Sequence, residues 1–496
     1  MHPILFRIPL PQTALPLFWL LLAAAGLAGV AVIWQLIVKS KIGALVAAAV
    51  ALGLVGASFV FKGETYAMGP LPIYSYGVML GLSLVVGWYL TLGLSEREGL
   101  PKELMANNYV VTAIAAVVGS RILYIVTNLN EFDSMRAMLD VRKGGLVAYG
   151  GFLGGFVGSF VFLRQYKIPL LPWADVAVPS LASGLMITRI GCYLFGCDFG
   201  QPLKSTAPAW LQKLGTFPRW DPKLIETPSG GPGGSPAWIQ HVKSHLISED
   251  AVASAPVHPT QLYESLVGAF LLTLLLVSRR YQKFRGQIFF IFTFGYGVCR
   301  FFLEMLRADD ERGWIPPSLP EHILLPLAIA LFSLGYAVGI SKMVENVTMR
   351  RVTQVLAFVP PVVVFLALRP ESFGTSATVQ LSTSQAVALS TGVAAAFAFG
   401  VFYEAALAHP ETAMKIPLPE MPSENAEEKP ASKVADADDD EPEEVPSEPK
   451  PKRVKKTKKK SVATNDDAKD DAKDETKDET KDAEKAKDDE PKAEES

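Results

Sequence analysis

About eleven apolar runs of membrane-crossing length follow one another along this chain, and they constrain its fold more than any other feature. A helix rises 1.5 Å per residue, so roughly 20 mainly apolar residues carry it across a hydrocarbon core. Such runs lie near 14–38, 43–61, 74–94, 108–127, 145–163, 173–196, 262–278, 287–306, 322–341, 353–368 and 385–405. The pattern predicts an all-α, polytopic transmembrane helix bundle. The first run lacks a basic cluster in front of it and is succeeded at once by another, so it reads as a span rather than a cleaved signal peptide.

Charge separates this apolar body from the C-terminal segment. Residues 421–496 carry 17 basic and 26 acidic side chains, whereas residues 1–420 carry 30 and 24. A body so poor in charge lies outside the range of ordinary soluble domains. From about 407 onward Phe, Trp and Tyr are absent and Pro, Ala, Lys, Asp and Glu dominate, which predicts a disordered tail. Its basic block "KPKRVKKTKKK" (450–460) reads as a solvated charge run, and no nucleic-acid partner is expected.

Lys and Arg concentrate in alternate short loops: Lys39 and Lys41, Arg164 and Lys167, Arg279 to Arg285, and Lys342 to Arg351. Positive charge is retained on the cytoplasmic side. The N-terminus is therefore expected outside, the tail inside, and the long segment 198–257 outside. Three cysteines without a CxxC or a Cys/His cluster predict neither a disulfide scaffold nor a metal site, and no cofactor is implied.

Ionisable groups within spans cost roughly 2.5–3.5 kcal/mol or more at the bilayer centre, so each is a functional candidate. Here they converge on one depth. Arg121, Arg189 and the Arg300/Glu304 pair lie in the outer parts of outward-running spans. Tyr74 and Tyr76, Tyr149, and the group His258, Gln261, Tyr263 and Glu264 open inward-running ones. Tyr296, Arg300 and Glu304 recur every fourth residue and so form one helix stripe, with Arg307 close to continuing it. With only Glu264 and Glu304 at hand to pair, the arginines predict surplus positive charge. A guanidinium fork suits phosphate oxygens, so an anionic phospholipid head group is the expected ligand. The spacing of Gly150 with Gly154, and of Gly151 with Gly155, predicts close helix packing.

These blocks resemble the prolipoprotein diacylglyceryl transferases, bacterial membrane enzymes with a seven-span core. The likeness rests on "IYSYGVMLGL", "GSRILYIVTN", "GGLVAYGGFLGG", "RIGCYLFGCDFG", "HPTQLYES" and "YGVCRFFLEMLR", in that order over about 70–340. The resemblance implies four regions: an arm at 1–69 with two inserted spans, a core at 70–345, two further spans at 346–406, and the tail at 407–496. It implies transfer of diacylglyceryl from phosphatidylglycerol to the lipobox cysteine thiol of preprolipoproteins, at the periplasmic side of the inner membrane. Arg121, Arg189, Gln261, Tyr263, Glu264, Tyr296, Arg300 and Glu304 stand at matching positions, and Tyr76 lies in the first block. Three positions depart from the family pattern: Tyr149 replaces a His, Cys192 an Asn, and Cys197 a Glu beside Asp198.

On that reading Arg189 and Arg300 clamp the leaving phosphate, Arg121 assists, and Glu304 orients Arg300. Tyr149 and His258 are the candidate proton acceptors for a thiol whose ordinary pKa is about 8.5. Cys192 and Cys197 admit three roles: packing residues, a nucleophile, or a disulfide. A disulfide needs the helix broken near Gly196, because positions five apart lie roughly 140° apart on a straight helix. Two other functions fit the same blocks, a non-catalytic phospholipid-binding or transport protein and a transferase with the same donor and another acceptor.

Overall fold

The computed structural model describes residues 3–9, 13–37, 41–63, 65–68, 71–132, 134–139, 144–220, 233–308, 313–369 and 378–417. The predicted disordered tail beyond 417 lies outside the described residues. The helices are α1 (Leu17–Ile37), α2 (Lys41–Val60), α3 (Ser75–Arg97), α4 (Lys102–Thr127), α5 (Met135–Leu139), α6 (Ala148–Gln165), α7 (Leu170–Phe195), α8 (Ala209–Leu214), α9 (Pro236–Lys243), α10 (Thr260–Ser278), α11 (Gln287–Glu304), α12 (Glu321–Val338), α13 (Val347–Ala357), α14 (Val359–Leu368), α15 (Thr383–Ala408) and α16 (Pro410–Ala413). Ten segments among the described residues are long and apolar enough to cross a membrane, and the chain is a multi-pass helical membrane protein.

Three details differ from the sequence pattern. The run 145–163 forms α6 but is not among the ten, because its glycines and polar ends lower its hydropathy. The run 353–368 does not form one uninterrupted helix: α13 and α14 meet at Phe358, just before Pro360 and Pro361, which cannot donate to the preceding turn. Three two-stranded antiparallel ribbons add to the helices. In the N-terminal arm, β1 (Ile4–Ile8) pairs with β4 (Leu71–Tyr74) and β2 (Thr13–Pro16) with β3 (Thr65–Met68), so α1 and α2 project from a ribbon beside the start of α3. The third joins β5 (Trp314–Pro320) to β6 (Thr378–Ser382), which leads straight into α15.

Glycine decides how α6 packs. Asn108 donates to Ser159 at 2.9 Å near one end of the α4/α6 pair, and Gly119 faces Gly150 and Gly154 near the other, so the helices run antiparallel. A Cβ at Gly154 would lie 2.3 Å from the Ala115 carbonyl oxygen and 2.9 Å from Gly119 Cα, both backbone atoms that cannot swing aside. Gly154→Ala is therefore expected to destabilise the protein by about 1–3 kcal/mol through overpacking. Thermal unfolding in detergent checks this against Gly184→Ala, whose Cβ would meet nothing within 4 Å.

α15 is fitted as tightly. A Cβ at Gly297 on α11 would meet the Ala388 carbonyl oxygen at 2.7 Å, and Gly392 approaches Gly297 in the same seam. Phe399 and Ala396 on α15 are fully buried. A capping box starts the helix, with Ser382 Oγ accepting from Gln385 N and Gln385 Oε1 accepting from Ser382 N. α15 is thus held rigidly against α11 and α12.

At one end of the bundle Glu98, just past α3, pairs with both Arg279 and Arg285. Asp175 on α7 accepts from Gly286 N at 2.6 Å and Phe289 N at 2.9 Å, and so caps the start of α11 from a neighbouring helix. This charge-bearing end fixes the register of α3, α7, α10 and α11, whose opposite ends form the site.

Candidate active site

Six charged side chains form one continuous chain of alternating sign at the ends of α7, α10 and α11. Arg307 Nη2 meets Asp198 Oδ1 at 2.6 Å, and Asp198 Oδ2 accepts from Arg189 Nη1 at 2.7 Å. Arg189 also pairs through Nε with Glu264, whose other oxygen accepts from Arg300 Nη1 at 2.5 Å. Arg300 Nη2 reaches Glu304 Oε2 at 2.8 Å. Glu264 and Glu304 are almost wholly buried. The Arg189 Nε and Arg300 Nη2 contacts are ion pairs without the alignment of a hydrogen bond.

This arrangement corrects the expected charge surplus. Asp198 supplies a third carboxylate and takes two arginines, so three guanidiniums face three carboxylates. The sequence signal for it was the acid one residue past the Glu position of the "RIGCYLFGCDFG" block. What remains for a ligand is donor capacity: a guanidinium has five N–H groups, and the carboxylates occupy only part of those on Arg189 and Arg300 among the described residues.

The end of α7 places Asp198. The helix stops at Gly196, which adopts φ 83° as glycine readily does, and Asp198 takes φ 55°, a region that Asp tolerates. The loop that follows α7 then folds back over the site. Phe199, Phe217, Ala237 and Val257 form its own core, and Gly200 N donates to His258 O while Gln201 N donates to Leu306 O. Those bonds bring Arg307 beside Asp198. Thr260 Oγ1 donates to Asp198 O at 2.6 Å, and Gln261 Nε2 to Cys197 O at 2.5 Å.

Asp198 lies outside the spans, and its burial opposes ionisation. The charges of Arg189 and Arg307 outweigh that cost and hold its carboxyl below the ordinary carboxylate range. The folded chain therefore binds this proton less readily than the unfolded chain. The resulting stability is present in full above the unfolded value of about 3.9 and fades as pH falls through the lowered folded value. Unfolding followed between roughly pH 5 and 2 should show a steeper acid loss in the parent than in Asp198→Asn.

Tyr149 and Ser384 complete the network. Arg300 Nη2 lies 3.4 Å from Ser384 Oγ, which is 3.1 Å from the Tyr149 hydroxyl. Ser382 Oγ donates to Glu304 Oε1 at 3.2 Å. Neither serine carries a sequence signal, because both lie at the start of α15, Ser382 as its cap and Ser384 in its first turn, beyond the recognised blocks, and they become neighbours only when α15 packs. Tyr76 packs against Gly191, two residues past Arg189 on α7. Tyr296 is stacked on Phe292. Gln261 is fully buried, and its Oε1 has no hydrogen-bond partner among the described residues.

Three of the predicted site residues make contacts with other groups. Arg121 donates to the backbone carbonyls of Ala137, Met138, Gly144 and Gly145 at 2.7–3.2 Å, and so organises the segment between α4 and α6. His258 Nδ1 lies 3.4 Å from the Tyr263 hydroxyl, so these two pair with each other.

The cysteines are free thiols. Cys192 Sγ, Cys197 Sγ and a carboxylate oxygen of Asp198 lie within 4.8 Å of one another. Hydrogen bonding to Cys192 and burial push the Cys197 thiol well above its ordinary range, the reverse of what an activated nucleophile requires. Both oxygens of Asp198 are already taken by arginines, which disfavours a cation at the same point.

A protein-family model for prolipoprotein diacylglyceryl transferase matches residues 64–364. The chain belongs to that family. Relatives include proteins named phosphatidylglycerol–prolipoprotein diacylglyceryl transferase from Bacillus cereus (strains G9842 and B4264) and Bacillus anthracis (strain A0248). Each is 26% identical over 244 residues, covering 49% of this chain and 80% of the relative. The family match takes in Arg189, Glu264, Arg300, Glu304 and Asp198. Ser382, Ser384 and the rest of α15 lie beyond it.

Proposed function

We propose that this protein transfers the diacylglyceryl group of phosphatidylglycerol to the lipobox cysteine thiol of preprolipoproteins. The observation that carries this reading is the joining of Arg189 and Arg300, from two helices, through the single buried carboxylate of Glu264 in a member of this family. The thiolate attacks the glyceryl carbon that bears the phosphate ester. A C–S bond forms, the C–O bond breaks, and glycerol phosphate departs with the added negative charge. Arg189 and Arg300 stabilise that charge with donors prearranged by Glu264, Glu304 and Asp198. The buried Oε1 of Gln261 accepts a head-group hydroxyl.

For the thiol's proton this reading favours Tyr149 over His258, since the Tyr149 hydroxyl communicates with Arg300 through Ser384 whereas the His258 ring meets Tyr263. Arg121 shapes the loop beside the site and does not clamp phosphate. The site faces the periplasm of the inner membrane, with the N-terminus outside. The core at 70–345 carries the chemistry, α1 and α2 are inserted into the arm, and the C-terminal spans buttress α11.

The test is complementation in cells depleted of their own transferase. Thioether-modified prolipoprotein is the expected product, and its absence while the chain accumulates stably in the membrane would sink the reading. Ser384→Ala is expected to lower the rate about tenfold with little change in stability, because it removes one hydrogen-bonding relay and leaves the ion pairs intact. An unchanged rate would show that α15 supports the fold alone.

A further inference from the structure

We infer that Cys192 and Cys197 form a reversible dithiol–disulfide site at the C-terminal cap of α7. Gly196 N and Cys197 N both donate to Cys192 O, at 2.8 and 3.3 Å, around a left-handed Gly196. In this type of helix cap the residue just past the glycine comes back against the side chain five positions earlier. Here those two positions are Cys197 and Cys192. The chain reversal abolishes the angular separation that a straight helix would impose, and the sulfurs already lie within 4.8 Å. Bond formation requires that separation to close to the roughly 2.05 Å of an S–S bond.

The surroundings favour a disulfide over the other roles open to two thiols. Asp198, the third donor of the cluster, has an arginine on each oxygen, so a cation there would displace an ion pair and face two guanidiniums. Cys299, the remaining thiol, lies on α11 and has no cysteine partner near it in sequence.

The oxidant is a disulfide, either of a small thiol or of a thiol oxidase. Cys197, partly accessible where Cys192 is buried, gives its proton to hydroxide at the alkaline pH of the test, attacks the disulfide as thiolate and releases one thiol. The buried Cys192 then attacks Cys197 sulfur as thiolate and expels the second thiol. Two cysteine thiols are thereby oxidised by two electrons and one disulfide is reduced to two thiols, with proton count conserved. The bond ties residue 197 to the last turn of α7. Asp198, next in the chain and paired with Arg189 and Arg307, is then held in its present place. The site thus couples the redox state of its compartment to the geometry of the arginine network.

The test reads thiols rather than transferase activity, so it stands or falls apart from the proposed function. The full-length protein in detergent is equilibrated at alkaline pH with reduced and oxidised glutathione at graded ratios, then denatured and alkylated, and its peptides are weighed. The expected result is an internal 192–197 link that appears with oxidised glutathione and reverses with dithiothreitol, while Cys299 remains alkylated. Cys192→Ser should instead leave a glutathione adduct on Cys197. Alkylation of all three cysteines at every ratio would overturn the proposal. So would a lasting glutathione adduct on Cys197 of the parent chain, or protection of both thiols by zinc ions alone.

Discussion

Arg300→Ala is expected to lower the rate of diacylglyceryl transfer by about 10²–10³-fold, the usual cost of removing one prearranged donor from a developing negative charge. The same change strips a partner from two buried carboxylates, since Arg300 pairs with both Glu264 and Glu304. Breaking such a pair on one side destabilises by about 3–5 kcal/mol, so loss of protein must be separated from loss of chemistry. Arg300→Lys makes that separation. It keeps the positive charge but gives up the planar fork that spans two carboxylates and a phosphate. The lysine variant should accumulate nearly as the parent does and still transfer poorly, measured as thioether product per amount of membrane protein. Parental activity in Arg300→Ala would remove Arg300 from the phosphate clamp.

Glu264→Gln is expected to give the largest loss of stability among single changes in the network, about 3–5 kcal/mol. Glu264 is the hub between Arg189 and Arg300, and its side chain is 5% exposed. A glutamine fits the space. Its amide nitrogen, however, turns two N–H donors toward a guanidinium that has only donors to offer. One arginine would then be buried without a counter-charge. Thermal unfolding in detergent, compared with Glu345→Gln at an exposed ion pair, checks the size of the effect. The exposed pair should change by less than about 1 kcal/mol. Equal, small losses at both positions would mean that water reaches the network freely.

Much of the site was legible along the chain because helical spans impose a depth on every residue. Arg189, Glu264, Arg300 and Glu304 each interrupt or open an apolar run, and alternating span directions bring them to one level. Their assembly into a network is then a matter of packing. The pairing of Asp198 with two arginines was less visible, because it depends on a glycine-ended helix and on a loop that returns across it. Arg121 shows the limit of reasoning from depth: it lies in a polar-bearing span, yet backbone carbonyls of the neighbouring segment engage it. Ser382 and Ser384, at the start of α15, were wholly silent. A hydroxyl within a small-residue helix looks like a packing residue until a neighbouring arginine and tyrosine are brought to it.

Hydropathy, acting over about 20 residues at a time, was enough by itself to determine a multi-pass helical protein, since every spanning backbone must satisfy its own hydrogen bonds. Glycine spacing pointed to close helix contacts, because only a missing side chain lets two backbones approach. The tertiary structure alone decided which charges neutralise one another, which hydroxyls reach Arg300, and that Cys192 faces Cys197. Coulomb attraction and hydrogen bonding act over a few ångströms between residues as many as 235 positions apart in the chain, as with Tyr149 and Ser384, so no local pattern encodes them.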